Sequence, residues 1–326
     1  MLITPNPSIE ILQAALEKKG YTADRFELDN STFIRFTAPN GQVWITQGAH
    51  VGYPFTPKAV GKISGDKNLA YDFCANEGVR VPKTVQVTQL PGDAYLAELL
   101  QDKPVIVKPH NSSLSRGVTL NITEPQQLLD ALEIAMQFSP IALVQEQIEG
   151  EELRFTVVGG KAKAALLRQK PRLIGDGVAT IKELFERENA ERSTLKLEYL
   201  SYPQLPESML GEVPRGKILA AGEALELSRS TMIRTGASVY NVIGDVDESY
   251  VRIVESLAQK MGASFIVVDM MLRDYKAPKT DDNYAFIEFN TAPVLKLFYS
   301  CRDGKQYDVV RELADMIDAT LTGAEL

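Results

Sequence analysis

The runs Val267-Val268-Asp269-Met270-Met271 and Ala285-Phe286-Ile287-Glu288-Phe289-Asn290 decide how this chain is read. Each is apolar and strand-like, and each carries oxygen ligands inside it. A carboxylate buried in a strand costs several kcal/mol unless something pairs with it. Glu288 and Asn290 are two positions apart, so on a strand they share a face. Asp269, Glu288 and Asn290 are hard donors of the kind that hold one or two Mg²⁺ ions, with phosphate oxygens completing the shell. The pattern points to nucleotide-dependent chemistry.

Residues 264–272 and 284–289 read as strands joined by a polar loop over 276–283. Residues 153–158 and 161–167 flank Gly159-Gly160, a hairpin signal, and 33–36 and 42–45 flank Asn40-Gly41, another. Ala142-Leu143-Val144-Gln145 and Val105-Ile106-Val107 are short buried strands. Ser8 caps a helix that Gly20 ends, Asp66 caps one running to Glu77, and Thr123 caps one over 126–138. Residues 180–189, 249–261 and 306–321 are helical in pattern, whereas 195–217 has no clean period and reads as a long excursion. Strands and helices alternate without a regular βαβ period. The expected class is therefore α+β with mixed or antiparallel sheets.

The bulk properties narrow the function. The 326 residues are 44% hydrophobic and 24% charged, enough for two or three lobes with sizeable cores. The net charge of -8 argues against nucleic acid as a partner, which needs a basic face. No apolar run reaches the ~20 residues that span a membrane, and the N-terminus lacks the features of a signal peptide. Cys74 and Cys301 give no disulfide framework, so a cytoplasmic location is expected.

Two further segments carry chemistry. Val107-Lys108-Pro109 ends a strand ahead of Asn111-Ser112-Ser113-Leu114-Ser115-Arg116-Gly117. A lysine there can reach phosphate, and small hydroxylic residues let backbone N–H groups wrap a phosphate chain. A surface turn with a snorkelling lysine fits that segment equally well. Glu146-Gln147-Ile148-Glu149-Gly150-Glu151-Glu152 can present backbone to an adenine edge and a carboxylate to ribose, or be a solvated acidic loop. His50 and His110 are lone histidines, and Trp44 reads as packing.

Taken in order, Gly65-Asp66-Lys67-Asn68-Leu69-Ala70, Val107-Lys108-Pro109, Leu167-Arg168-Gln169-Lys170-Pro171 with Gly175-Asp176-Gly177, Arg234-Thr235-Gly236-Ala237-Ser238, Val268-Asp269-Met270 and Ile287-Glu288-Phe289-Asn290-Thr291-Ala292-Pro293 resemble the ATP-grasp superfamily. The likeness covers nearly the whole chain and is nearest to the ATP-grasp half of bifunctional glutathione synthetases and of cyanophycin synthetases. It implies two α+β lobes sandwiching ATP: a small N-terminal α/β region over 1–65, a first lobe with a mobile phosphate loop over 66–150, and a C-terminal lobe with metal and substrate sites over 151–326. It implies Lys67 and Lys108 on the ATP phosphates, Ser112, Ser113, Ser115 and Gly117 in the closing loop, Glu146, Gln147 and Ile148 as the adenine hinge and Glu152 on the ribose. Asp269, Glu288 and Asn290 would bind two Mg²⁺, with Mn²⁺ as a substitute, and Arg168 with Lys108 would serve the transferred phosphoryl group.

The chain departs from the family where Ser228-Arg229-Ser230-Thr231-Met232-Ile233-Arg234-Thr235-Gly236-Ala237 replaces a segment that borders the acceptor. Arg154, Arg229, Arg234, Gly236 and Lys296 are accordingly the candidates for contact with substrate carboxylates. The expected activity is ATP-dependent carboxylate–amine ligation through an acyl phosphate. The expected partners are amino acids or small peptides, and the chain is compatible with a homodimer. Ligation of glycine to γ-glutamylcysteine is the narrower alternative. A kinase-like or carboxylating enzyme and a non-catalytic ATP-binding module are rivals of other classes.

Overall fold

The computed structural model describes residues 8–48, 51–100, 104–110, 116–195, 201–228 and 230–324. The chain opens with α1 (Ile9–Glu17) and a meander of β1 (Thr22–Leu28), β2 (Ser31–Thr37) and β3 (Val43–Gln47). The expected Asn40-Gly41 hairpin joins β2 to β3, with Gly41 at φ 86°. Ser8 stands at the start of α1 but makes no side-chain cap. Its buried hydroxyl instead accepts from the Leu295 N–H at 2.6 Å, tying the first helix to the far end of the chain. Next come α2 (Lys58–Gly65) and α3 (Lys67–Asn76), the second capped by Asp66, whose carboxylate accepts from the N–H groups of Asn68 and Leu69.

A four-stranded antiparallel sheet follows, in the order β4-β7-β5-β6. It is built from β4 (Thr84–Val87), β5 (Val105–Pro109), β6 (Thr119–Ile122) and β7 (Ala142–Glu146), with α4 (Asp93–Leu100) and α5 (Pro125–Met136) between them. The α5 cap is Glu124, not Thr123 as expected, because Pro125 takes the first helical position, where its missing N–H costs nothing. The sheet closes its own apolar core around Val107, Leu128, Leu132 and Val144.

The larger sheet has five antiparallel strands in the order β12-β9-β8-β13-β14. They are β8 (Glu151–Val158), β9 (Lys161–Gln169), β12 (Ser238–Asn241), β13 (Phe265–Leu272) and β14 (Tyr284–Asn290). Between β9 and β12 the chain forms β10 (Arg172–Ile174), α6 (Ile181–Thr194) and β11 (Ala224–Glu226). Then α7 (Glu248–Met261) precedes β13, and α8 (Val309–Thr322) ends the fold. The excursion expected over 195–217 packs Leu205 and Leu210 with Leu173, Ile181, Phe185 and Leu219 in a small core of its own; residues 196–200 lie outside the described set.

The two faces of the large sheet are covered differently. One packs Phe155, Leu167, Val268 and Phe286 against α7, and Ala70, Tyr71 and Cys74 of α3 join this core rather than that of the four-stranded sheet. The other is apolar only at one end, where Leu166, Val239 and Val267 meet α1, the β1–β3 meander and α8. Strand alternation leaves Arg154, Arg168, Asp269 and Glu288 on the rest of that second face.

At the bend into β8, Gly150 has φ 141°, and a Cβ there would sit 2.3 Å from the Leu272 carbonyl oxygen. Gly150→Ala is expected to cost about 2–4 kcal/mol, since backbone on both sides must move. Gly41→Ala, with open space around it, should lose only the positive-φ penalty of about 1–2 kcal/mol. Equal losses for the two variants in urea unfolding would contradict the packing at Gly150.

Candidate functional site

The polar end of the large sheet is organised around Arg154 and Asp269, directly paired across β8 and β13. Arg154 Nε donates to Asp269 Oδ1 at 2.8 Å and Nη2 to Oδ2 at 2.5 Å, and both residues are buried. Burial would raise the Asp269 pKa, but Arg154, and behind it Arg168, hold the carboxyl below its usual range. Asp269 also pairs across the sheet with Glu288, and a bulge just beyond, between Asp269 and Met270, shifts the register. The Glu288 side chain remains 38% exposed, and its Oε1 stands 4.0 Å from Arg154 Nη2. Burial by the surrounding protein and the Asp269 charge hold the Glu288 carboxyl above its usual range, against the opposing pull of Lys67, Arg154 and Lys108.

Asn290 lies on the same strand face, and its Oδ1 accepts from the Ala292 N–H at 2.9 Å, which fixes the turn into Thr291-Ala292-Pro293. A hard divalent cation fits this donor set. The strained negative charge on Glu288 would be relieved by it, and Asn290 offers a neutral oxygen with a second lone pair. Of the three expected donors, Asp269 is buried with both oxygens accepting from Arg154, whereas Glu288 and Asn290 are partly exposed. Among the described residues no group of three or more His, Cys, Asp or Glu side chains is arranged as a metal cluster. Arg154, expected among the contacts to a substrate carboxylate, commits Nε and Nη2 to the buried Asp269.

Arg168, on β9, reaches the Glu152 carboxylate with Nη2 and stands 4.0 Å from Asp269 Oδ2. Its Nε is buried with no hydrogen-bond partner. Glu152 also accepts from Thr231 Oγ1 at 3.1 Å, so the carboxylate expected on a ribose is shared between an arginine and the 228–237 segment.

Across from this sheet, Lys108 on β5 is 7% exposed, and its Nζ donates to Tyr71 Oη at 2.9 Å and to Gln145 Oε1 at 2.8 Å. Burial lowers its pKa to about 8, with the Glu288 charge pulling the other way. Lys67 begins α3, one turn before Tyr71, and its charge acts on both Tyr71 and Glu288. Both lysines thus lie within electrostatic reach of the acidic strand pair. Nearby, His110 Nε2 lies 2.9 Å from Asn68 Nδ2 and 3.5 Å from Asp66 Oδ1.

The segment expected to face adenine is held by side chains that sequence reasoning did not assign. Glu146 accepts from Arg80 Nη2 at 2.9 Å, and Gln147 makes a two-bond clasp with Asn121, 2.7 Å each way. Ile148 follows, partly buried, two residues past the end of β7. Gly117, at φ 73°, packs so closely that a Cβ would come within 2.8 Å of Pro109 and 2.7 Å of Phe138. Ser112, Ser113, Ser115 and Arg229 lie outside the described residues, as does His50. Arg234 is exposed on a single 3-10 turn, and Gly236 behind it accepts from Arg192 Nη2 at 2.7 Å. Lys296 is partly buried on another 3-10 turn past the Thr291-Ala292-Pro293 bend. Tyr71, Gln145 and Arg80 are the functional neighbours that were missed; only the four-residue spacing of Lys67 and Tyr71 on one helix face could have signalled any of them.

Comparison with known proteins fits this geometry. A family model described as the ATP-grasp domain matches residues 64–291. The glutathione biosynthesis bifunctional protein GshAB of Streptococcus thermophilus is 31% identical over 265 residues, covering 77% of this chain and 35% of that protein. Its Pasteurella multocida counterpart is 25% identical over 252 residues, covering 74% and 33%. The chain therefore spans about a third of the length of these relatives. Among solved structures, a bifunctional glutathione synthetase from Pasteurella multocida matches with a TM-score of 0.63 at 21% identity, over 97% of this chain and 44% of that one. D-alanyl-alanine synthetase A from Vibrio cholerae matches at a TM-score of 0.53 and 13% identity, over 97% and 93%. These two show the α+β fold of paired antiparallel sheets. No helix among the described residues is long and apolar enough to cross a membrane. With the matched segment running from just before Lys67 to just past Asn290, and so enclosing both lysines and the acidic strand pair, the chain belongs to the ATP-grasp family.

Proposed function

We propose that the chain is an ATP-dependent carboxylate–amine ligase that joins an amino acid or small peptide to an amino acid. One observation carries the reading: a buried lysine on one sheet and a carboxylate on the other, Lys108 and Glu288, lie close enough to shift each other's proton affinity. A site of that kind can take a polyphosphate between cations on one side and hard oxygen donors on the other. ATP-grasp ligases use ATP and divalent metals. Here Glu288 and Asn290, with Asp269 behind them, would hold one or two Mg²⁺, or Mn²⁺ in its place, which when bound neutralises phosphate oxygens.

The chain's own residues do the rest by position and charge. Lys67 and Lys108 hold the phosphates as point charges. A substrate carboxylate oxygen attacks the γ-phosphorus, the bond to the bridging oxygen breaks, and ADP leaves with the electron pair. Arg168, anchored by Glu152, stands beside the growing charge on the transferred group. The substrate amine then attacks the acyl carbon of the resulting acyl phosphate. A C–N bond forms, inorganic phosphate departs, and the amine's proton passes to solvent. Arg154 acts as a positioning residue by fixing Asp269 behind Glu288. The hinge backbone from Glu146 to Ile148 would face adenine, Glu152 the ribose, and the loop from Ser112 to Gly117 the phosphates. Arg229, Arg234, Gly236 and Lys296 are the candidates for the acceptor side, and small-molecule substrates in the cytoplasm suit the assignment. The narrower reading, ligation of glycine to γ-glutamylcysteine, is favoured by the 31% identity to the Streptococcus thermophilus protein.

An ADP-release screen over pairs of amino acids and small peptides, with mass spectrometry of the products, tests the reaction. ADP release should require an added amino acid and yield an amide. Glu288→Ala should reduce it about a thousandfold while the protein stays folded. ATP binding without turnover for any pair, γ-glutamylcysteine plus glycine included, would leave the binding-module alternative standing. Full activity of Glu288→Ala would remove the metal assignment.

Arg154→Met strands a buried carboxylate and should lower stability by about 3–5 kcal/mol, and the double variant Arg154→Met/Asp269→Leu should recover most of that loss. Chemical denaturation of the two variants measures the difference, and additive losses would mean that the pair is not coupled.

Nucleotide affinity should depend on pH through Lys108. In the free protein the ammonium is lost as pH rises through about 8, because burial has lowered its pKa from the ordinary 10.5. Phosphate binding favours the charged form, so the apparent Kd for ATP should be flat below that pH and rise up to about tenfold per unit above it. Lys108→Arg should flatten the profile between pH 7 and 9 in calorimetric titrations. An unchanged profile in that variant would assign the dependence to another group.

A further inference from the structure

Among the described residues, a group of cations outside the candidate site lies on the opposite face of the large sheet. Ser238 and Tyr240 of β12 alternate with Val239, which pairs with Arg168, so their side chains project away from the Arg154–Asp269 cluster. Beneath them is a cavity of about 290 Å³ walled by β10, α6 and the ends of β9 and β12. Five cations line it, Lys170, Arg172, Arg187, Arg192 and Arg302, against two carboxylates, Glu188 and Glu191. Each of the five has a carboxylate partner: Arg187 is held by Asp176 at 2.8 Å, and the others pair with Glu226, Glu151, Glu188 and Glu191, so what distinguishes them is how tightly each is held.

The cations are not equally committed. Arg192 and Arg302 share Glu188, each at 2.7 Å, and both reach Ser238 Oγ, while Arg302 also pairs with Glu191; this part of the wall is structural. Lys170 and Arg172 have only loose partners: Glu226 at 3.5 Å and Glu151 at 3.6 Å. Partly exposed pairs of that length hold their side chains weakly. In addition, the Nε of Arg172 and the Nε of Arg302 are both buried without a hydrogen-bond partner, and the Arg302 side chain is only 5% exposed. A buried N–H left unpaired is costly, so two such donors in one cavity wall call for an acceptor.

We propose that this cavity is a second binding site, for a small polyanion whose oxyanion groups are carboxylate or phosphate. Arg172 and Lys170 would be the exchangeable contacts, giving up Glu151 and Glu226, and Arg302 Nε the fixed donor at the back of the site. The ligand would be distinct from the nucleotide, which the opposite face serves. Arg192 extends the site's reach, because the guanidinium that lines the cavity also donates to Gly236 O, at the end of the segment whose Thr231 holds Glu152.

Calorimetric titration of the full chain with citrate and, separately, with pyrophosphate tests this. At least one should bind in the millimolar range or tighter, and Arg172→Gln together with Lys170→Gln should weaken it about tenfold or more, the effect of losing charge-assisted contacts. Lys108→Ala should leave that binding event within about twofold, which separates it from any phosphate bound at the nucleotide site. Citrate alone binding would mark a carboxylate ligand, pyrophosphate alone a phosphate ligand, and both a general oxyanion site. Absence of saturable binding by either, or an affinity that follows Lys108 and ignores Arg172 and Lys170, would overturn the proposal. The substituted residues are partly exposed, and a thermal unfolding curve matching the unsubstituted chain confirms that they leave the fold intact.

Discussion

The bidentate pair between Arg154 and Asp269 is the constraint on which the rest of the site depends. Both residues are almost wholly buried in the middle of a five-stranded sheet. A buried ion pair contributes little net stability, because desolvation offsets its Coulomb gain, yet it is expensive to break from one side. Its value here is positional. Asp269 is held ionised beside Glu288, so Glu288 carries the surplus negative charge and is the group that a cation would relieve. Arg168 and Glu152 extend the same network along β8 and β9, alternating acid and base on one face. Replacing either partner with an apolar residue would therefore alter the field at Glu288 as well as the local packing.

Much of the fold was legible because its signals are local. Gly159-Gly160 and Asn40-Gly41 specify hairpins by their backbone freedom, and both hairpins form. Asp66 bounds α3 by side-chain capping. The misses have equally physical causes. β1 alternates poorly, since most of its residues face solvent, and β10 and β11 are three residues each, below the length at which a period can be read. In α2 the lone buried residue is Val60, too little to mark an apolar face. Its place is set by packing on β14, a contact distant in sequence.

The candidate site was legible to a different depth. A polar residue inside an apolar strand run is a strong signal, because the run predicts burial and burial demands a partner. That singled out Asp269 and Glu288, which the structure pairs across neighbouring strands. Who the partner is cannot be read the same way. Asp269 meets Arg154, 115 residues away, through strand order alone. Tyr71 and Gln145 on Lys108, and Arg80 on Glu146, are likewise ordinary in sequence and acquire meaning only from topology.

How the two sheets meet follows from what joins them. The four-stranded sheet closes its own apolar core, and α3 belongs to the core of the larger sheet. Contacts between the two bodies run through polar groups: Lys108 to Tyr71, His110 to Asn68, Arg80 to Glu146. Sliding apolar cores past each other would open cavities at a cost that rises with their volume. Polar contacts can instead be exchanged one for one with ligand oxygens or water at little net cost. Lys108 illustrates the exchange. Its amine is held by two neutral oxygens, neither of which stabilises the ammonium as well as a phosphate would, and burial lowers its pKa to about 8. The seam between the two sheets is thus built from polar groups whose partners can be exchanged without disturbing either core.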